Sequence, residues 1–269
     1  MNGIKLAVCQ MKIGDDKNKN LSVAEDMIKE SSGLGAQMVV LPEVFNAPYQ
    51  SALFPDYAES FPGITTEFLA RSAALHKIYL IGGSIIEKED GRLYNSSFIY
   101  GPTGDLLGRH RKIHLFDVEI ENGITFHESD TLSPGNSVSV FNSTPLPIGV
   151  MICFDIRFPE LARRYVLEGA QMLVVPAAFN TTTGPAHWEI LMRTRAVDNQ
   201  CYVIAASPAR NPDSNYQAWG HSMIVDPWGK ILAEAGICQE IILADVSFDL
   251  IRQIRTQMPL LKQRRPELY

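Results

Sequence analysis

Three residues of different chemistry each stand where an apolar run stops. Glu43 follows QMVVLP, Lys112 closes LLGRHRK ahead of IHLF, and Cys153 ends PIGVMIC ahead of FDIRFPE. Together they form a coherent set. A sulfur nucleophile attacks a carbonyl carbon, a carboxylate shuttles the protons, and an ammonium stabilises the developing oxyanion. Each also has an ordinary alternative. Cys153 fits a buried core cysteine, Glu43 an exposed loop charge, and Lys112 a solvated charge in a basic run. The setting of Cys153 carries one further expectation. Pro159 and Glu160 suit the first turn of a helix, so the thiol would lie near a helix N-terminus and its pKa would fall.

For the three to meet, neighbouring strands must deliver them at their carboxyl ends. Alternation and apolar runs place strands at Ile4–Gln10, Gln37–Leu41, Ile78–Ile86, Tyr94–Tyr100 and Leu106–Lys112. In the second half the same reading gives Ser137–Phe141, Pro147–Ile152, Met172–Val175, Tyr202–Ala206, Ser222–Val225, Ile231–Ala233 and Ile241–Val246. Helices are expected at Asn18–Ser32, Thr65–His76, Pro159–Leu167, Pro185–Asn199 and Ser247–Gln257. Continuous apolar strands mixed with helices imply a layered α/β architecture with sheets covered by helices. Turns such as EDGR, PTGD and DPWG add antiparallel pairings, against a simple doubly wound parallel sheet.

The bulk properties restrict the function classes. Of 269 residues, 46% are hydrophobic and 20% charged, which is globular composition with enough material for a core. A formal charge of −6 with only short basic patches argues against nucleic acid as a partner. No run approaches the roughly 18 apolar residues of a spanning helix, so no membrane partner is expected. Met1–Met11 enters a strand pattern without a leader-like segment, and Cys9, Cys153, Cys201 and Cys238 are widely spaced. Both point to a reducing, cytoplasmic setting. His110 and His114 are four apart, but on a strand pattern and without a metalloprotease glutamate, so neither a metal nor another cofactor is expected. No GxSxG elbow, GxGxxG or P-loop occurs. His187 in GPAHWE reads as a supporting histidine.

VVLPEVF, GRHRKIHLFD and GVMICFDIRFPE, in that order, resemble the three signature blocks of the nitrilase superfamily of carbon–nitrogen hydrolases. FHESDTLSPG, TTGPAHWE, RAVDNQCYV and GHSMIVDPWG agree, and the resemblance runs from Ile4 to Tyr269. It implies a four-layer αββα sandwich, here as one domain over 1–269. It further implies a Glu43–Lys112–Cys153 triad, with Glu128 as a second carboxylate positioning the lysine and substrate, and a homodimer or larger homo-oligomer. The chemistry would pass through a thioester, with Lys112 and the backbone N–H of Phe154 holding the oxyanion. Glu43 would act as base and then acid, which needs a pKa near neutrality.

KIHLFDVEIENGITFHESDTLSPG, FNTTTGPAHWE and ASPAR are similar to the omega-amidase branch, whose substrates are the terminal amides 2-oxoglutaramate and 2-oxosuccinamate. The branch's carboxylate-binding arginine and threonine map onto Arg157 and Thr183. Arg157 can clamp a carboxylate bidentately, or else pair with Asp155 or Glu160. Tyr49 adds a hydroxyl donor, and Phe45, Phe116 and Phe179 are candidates for pocket wall or core. The resemblance leaves open other amidases, acting on deaminated glutathione or an N-carbamoyl compound, a nitrile hydrolase, and a non-catalytic interaction protein. The C-terminal MPLLKQRRPELY is expected to reach a partner subunit.

Overall fold

The computed structural model describes residues 3–121, 123–142 and 144–268. The far ends of two readings, Met1 at the start of the first strand pattern and Tyr269 at the end of the tail, lie outside the described residues. So does Asn122 within the omega-amidase-like block.

In chain order the strands and helices are β1 (Gly3–Gln10), α1 (Lys17–Gly33), β2 (Met38–Val40), α2 (Phe54–Tyr57), α3 (Ile64–His76), β3 (Tyr79–Ile81), β4 (Ile85–Glu89), β5 (Arg92–Tyr100), β6 (Leu106–Arg111), β7 (Asp117–Glu119), β8 (Thr125–His127), β9 (Ile148–Val150), α4 (Pro159–Leu167), β10 (Met172–Pro176), α5 (Gly184–Asn199), β11 (Tyr202–Ala206), β12 (Met223–Val225), β13 (Ile231–Glu234), β14 (Glu240–Ser247) and α6 (Phe248–Gln257). Two sheets carry the molecule. The first runs β14-β1-β2-β3, after which β5 pairs with β3 and β4 and also with β6. The second runs β13-β12-β11-β10-β9, with β9, β10 and β11 parallel to one another.

Alternation within the first sheet sets the layers, because successive side chains point to opposite faces. Leu6, Val8, Met38, Val40, Ile81 and Ile99 point inward and pack with Ile148, Val150, Leu173 and Val174 of the second sheet. Ala7, Cys9, Val39, Leu41, Leu80 and Phe98 point outward against Leu21, Ala24 and Ile28 of α1 and Phe68, Leu69 and Ala73 of α3. Leu161, Ala162 and Tyr165 of α4 and Trp188, Met192 and Ala196 of α5 join the second sheet's core. The result is the four-layer αββα sandwich, with mixed sheets covered by helices.

Several elements differ from expectation, among them α2 (Phe54–Tyr57), a single helical turn for which the sequence reading placed no helix. The run Ile78–Ile86 is two strands on one edge of β5, interrupted at Gly82-Gly83-Ser84. Ser137–Phe141 makes only an isolated bridge, Phe141 to Ile148, because it skirts the end of β9 rather than joining a ladder. The short β7–β8 hairpin was not foreseen: each strand is three residues long with a single apolar position, and these two, Val118 and Phe126, pair with each other.

Candidate active site

Glu43 sits two residues beyond Leu41, in a turn whose shape depends on the break in the β3–β4 run. Val44 adopts φ 46°, a left-handed conformation costly for a β-branched residue. It is held there by Ser84, whose Oγ accepts the Val44 N–H at 3.0 Å and whose carbonyl accepts that of Phe45 at 3.2 Å. Ser84 N–H returns a bond to the Pro42 carbonyl at 3.2 Å. Gly83 has φ +55°, and a Cβ there would collide with the Pro42 carbonyl oxygen, so the glycine permits this close approach. Local strain is thereby used to aim the carboxylate at the space between the sheets.

Lys112 follows β6 directly and is 0% exposed. Its N–H bonds the Asn95 carbonyl at 2.8 Å, and Asn95 Nδ2 donates to Glu43 Oε1 at 2.9 Å. One strand residue therefore registers both groups. Lys112 Nζ lies 3.0 Å from Glu43 Oε1 and 2.8 Å from Glu128 Oε2. The β7–β8 hairpin returns the chain to Glu128, which is fully buried and accepts the Phe116 N–H at 2.7 Å and the Tyr49 hydroxyl at 2.8 Å.

Two buried carboxylates share one ammonium, so the fully ionised cluster carries one net negative charge. Burial is the largest influence on Glu43 and raises its pKa; Lys112 lowers it and Glu128 raises it again. Glu43 is therefore the group ready to take up a proton. Burial alone would lower the Lys112 pKa, but Glu128 and Glu43 hold it well above the ordinary lysine value, so the ammonium persists.

Cys153, 4% exposed, has φ 49° and opens a 3-10 turn, Cys153–Arg157. Asp155 shapes this turn: its Oδ2 accepts the Ile152 N–H at 3.0 Å, and its Oδ1 accepts the His114 N–H at 2.9 Å. The thiol lies beside Glu43 and the Ala178 N–H, which donates to Glu43 Oε2 at 2.8 Å. The expected fall in the cysteine pKa does not occur. Burial, then the neighbouring Glu43, drive it well above the ordinary thiol value, against the smaller opposing pull of Lys112. A five-residue 3-10 turn separates the sulfur from α4, and the dipole of α4 is felt only near its own first turn.

A small cavity adjoins the sulfur, lined by Phe116, Phe154, Arg157, Ala178, Phe179, Asn180, Thr183 and Tyr216. Of the residues singled out from the sequence, Cys153, Phe116, Phe154, Arg157, Phe179 and Thr183 thus converge here. Arg157 makes neither of the ion pairs considered for it. Asp155 is engaged by His110 and His114, and among the described residues no carboxylate lies within ion-pair reach of Arg157. Instead its guanidinium lies 3.1 Å from His187 Nδ1 and over the Phe179 ring at 4.8 Å, while its buried Nε has no partner. His187 supports the arginine.

Two residues fall elsewhere. Tyr49 is placed in the carboxylate network, its hydroxyl 2.8 Å from Glu128 and 3.3 Å from Glu43, away from the cavity beside Cys153. Phe45 packs in the core under α1 and α3, since the Val44 turn swings the next side chain outward.

Asn95, Asn180 and Tyr216 escaped the sequence reading. Asn95 had a signal, a polar triplet Asn95-Ser96-Ser97 inside a buried strand, which demands partners. Asn180 Oδ1 accepts the Thr182 and Thr183 N–H groups at 2.9 Å each, leaving its Nδ2 buried without a partner beside the cavity. Tyr216 bonds the Ala178 carbonyl from a loop with no pattern of its own.

Comparison with known proteins places the chain in a family. A carbon-nitrogen hydrolase family model matches residues 5–256. The chain is 50% identical over 269 residues to a zebrafish (Danio rerio) protein named omega-amidase NIT2, covering 100% of this chain and 97% of that protein. It is 49% identical over the same 269 residues to the Homo sapiens protein of that name, covering 100% and 98%. The crystal structure of Saccharomyces cerevisiae Nit3, a member of branch 10 of the nitrilase superfamily, superposes with a TM-score of 0.90 at 43% identity, covering 98% of this chain and 97% of that one. That of the C. elegans NitFhit protein gives 0.91 at 32% identity, covering 100% and 66%. Among the described residues no helix is long and apolar enough to cross a membrane. The chain, matched over nearly its whole length, belongs to the carbon-nitrogen hydrolase family, the nitrilase superfamily, and is a hydrolase.

Proposed function

We propose that the chain, as one catalytic domain, is an omega-amidase: it removes the terminal amide of small α-keto acid amides such as 2-oxoglutaramate and 2-oxosuccinamate. The observation that carries this reading is Arg157, unpaired with any acid among the described residues and half-buried beside Cys153, next to a buried Glu43–Lys112–Glu128 cluster. The name shared by relatives near 50% identity supports the same activity.

Glu43 accepts the thiol proton as Cys153 sulfur attacks the amide carbon. The oxyanion is held by Lys112 and by the Phe154 N–H, which the 3-10 turn leaves without a partner of its own. Glu43 returns the proton to nitrogen, the C–N bond breaks, and ammonia departs. Water then loses a proton to Glu43, attacks the thioester carbon, and the released thiolate is reprotonated. Arg157, with the hydroxyl of Thr183, binds the substrate carboxylate. Glu128 anchors Lys112 and is itself held by Tyr49.

A substrate panel read by ammonia release tests this. Activity should be strongest on 2-oxoglutaramate and 2-oxosuccinamate. A marked preference for deaminated glutathione, an N-carbamoyl compound or a nitrile would reassign the branch, and no turnover with any of them would favour an interaction protein. The reading extends to a cytoplasmic homodimer or larger assembly, in keeping with four free thiols.

A further inference from the structure

His110 and His114, one on β6 and one just beyond it, meet the same carboxylate. His110 Nε2 lies 3.5 Å from Asp155 Oδ2, and His114 Nδ1 lies 2.8 Å from Asp155 Oδ1. The His114 backbone N–H adds a second bond to Oδ1 at 2.9 Å. Asp155 is fully buried and its pKa is brought to about 2, so it stays a carboxylate and only accepts. The ring proton of His114 therefore sits on Nδ1. His114 also meets the chain three residues further on, its ring lying flat on Phe158 with centroids 3.6 Å apart. One residue thus grips the nucleophile turn, Cys153–Arg157, both within it and at its exit.

The grip matters because the reacting groups come from different sheets. Glu43 follows β2 and Lys112 follows β6, both of the first sheet, and Asn95 of β5 registers the two. Cys153 follows β9 of the second sheet. Its φ of 49° is a left-handed conformation that a residue with a side chain keeps only where the surroundings impose it. The Ile152 N–H on Asp155 Oδ2, at 3.0 Å, closes the turn around it. Asp155 is in turn fixed by His114, two residues beyond Lys112, so sulfur and ammonium share one anchor. A second cross-sheet link, from the Ala178 N–H to Glu43 Oε2, uses a carboxylate that changes protonation in the proposed reaction. The Asp155–His114 contact uses none of the reacting groups.

We propose that His114 is a positioning residue of the amidase reaction. Through Asp155 and Phe158 it docks the nucleophile turn on the segment that carries Lys112, which keeps the sulfur aligned with Glu43 and Lys112 during attack. The proposal rests on the thiol mechanism. His114 does not line the cavity beside Cys153, so it acts through the turn and leaves substrate binding to Arg157.

His114→Phe retains the ring stack and the backbone N–H but loses the Nδ1 donor. Its kcat should fall by about 10–100-fold, since a misplacement of about 1 Å costs up to about a hundredfold. KM should stay within about threefold of wild type, the reverse of the split that loss of a carboxylate clamp produces. His114→Asn returns a side-chain N–H near the Nδ1 position and should recover most of the lost kcat. Both rates are taken on protein whose circular dichroism matches wild type. An unchanged kcat in His114→Phe, equal losses in the two variants, or a loss carried by KM overturns the proposal. Should His114→Phe not fold, His114→Ala takes its place. Free imidazole, which can reach a side chain 28% exposed, should then raise its rate and leave wild type unchanged; the absence of that rise overturns the proposal as well. Because kcat is read on whichever amide the wild type hydrolyses best, a wrong substrate assignment does not enter. Ammonia release surviving Cys153→Ala would instead defeat the thiol mechanism itself, so the two failures are distinct.

Discussion

A buried thiol whose pKa is driven up does not wait as a thiolate. On the proposed mechanism the Cys153 sulfur keeps its proton at neutral pH and hands it to Glu43 during attack, which makes the carboxylate's protonation state the control point. Because burial raises Glu43, the acid limb of kcat/KM should lie above the ordinary carboxylate range. No rise should occur around the ordinary thiol value of about 8.5. A pH–rate profile climbing through that thiol range would show a preformed thiolate to be required. Glu43→Gln, which cannot take the proton, should lower kcat by about 10²–10⁴-fold with the fold intact by circular dichroism. On the same proposal Arg157 controls a different quantity. Charge-assisted bonds to a carboxylate are worth about 1.5–3 kcal/mol, so Arg157→Gln should raise KM for 2-oxoglutaramate by about 10–100-fold. Turnover of an uncharged primary amide should change little. Equal losses on both substrates would show that Arg157 supports the turn rather than the ligand.

At the scale of elements, the site depends on stretches that leave regular structure. The strained turn after β2 rests on the break between β3 and β4, and the turn after β9 rests on Asp155. Burial would raise the Asp155 pKa, but the His110 imidazole at 3.5 Å and the hydrogen bonds from His114 bring it to about 2. A folded pKa below the unfolded one, 3.8, stabilises the fold above that value, and the contribution is lost as pH falls from about 4 to about 2. The shift corresponds to about 2 kcal/mol. Asp155→Asn should therefore be less stable than wild type by about that amount in urea at pH 7, with the gap closing at pH 2. A gap independent of pH would assign the loss to packing instead. The regular elements were legible because period and punctuation are local: β11 and α4 match their expected bounds, and α1, α3, α5 and α6 agree within a residue or two. The break at Gly82-Gly83-Ser84 was not, since it answers to the distant Pro42–Phe45 turn, and neither was the β7–β8 hairpin, whose three-residue strands are too short for a period to show.

For the whole molecule, the αββα sandwich buries the inner faces of both sheets and collects the carboxyl ends of β2, β6 and β9 at one place. Beyond α6, Met258, Leu260 and Leu268 are exposed while the Met258 carbonyl accepts Gln200 Nε2 at 2.6 Å, so the tail is tied at its root and apolar beyond it. Removing residues 258–269 should convert the proposed dimer to monomer on sizing while the core keeps its fold; an unchanged dimer would free the tail of that role. By itself the sequence determined which chemistry was available: the Glu43, Lys112 and Cys153 blocks, their order, and the strands that carry them. It did so because residue type and hydrophobic period are properties of the local chain. Only the tertiary structure decided the rest: that Tyr49 serves the carboxylates, that Phe45 belongs to the core, that Arg157 has no acid partner among the described residues, and that Cys153 is held as a thiol. Those outcomes are set by burial and by charges brought together from distant segments, and no local pattern encodes either.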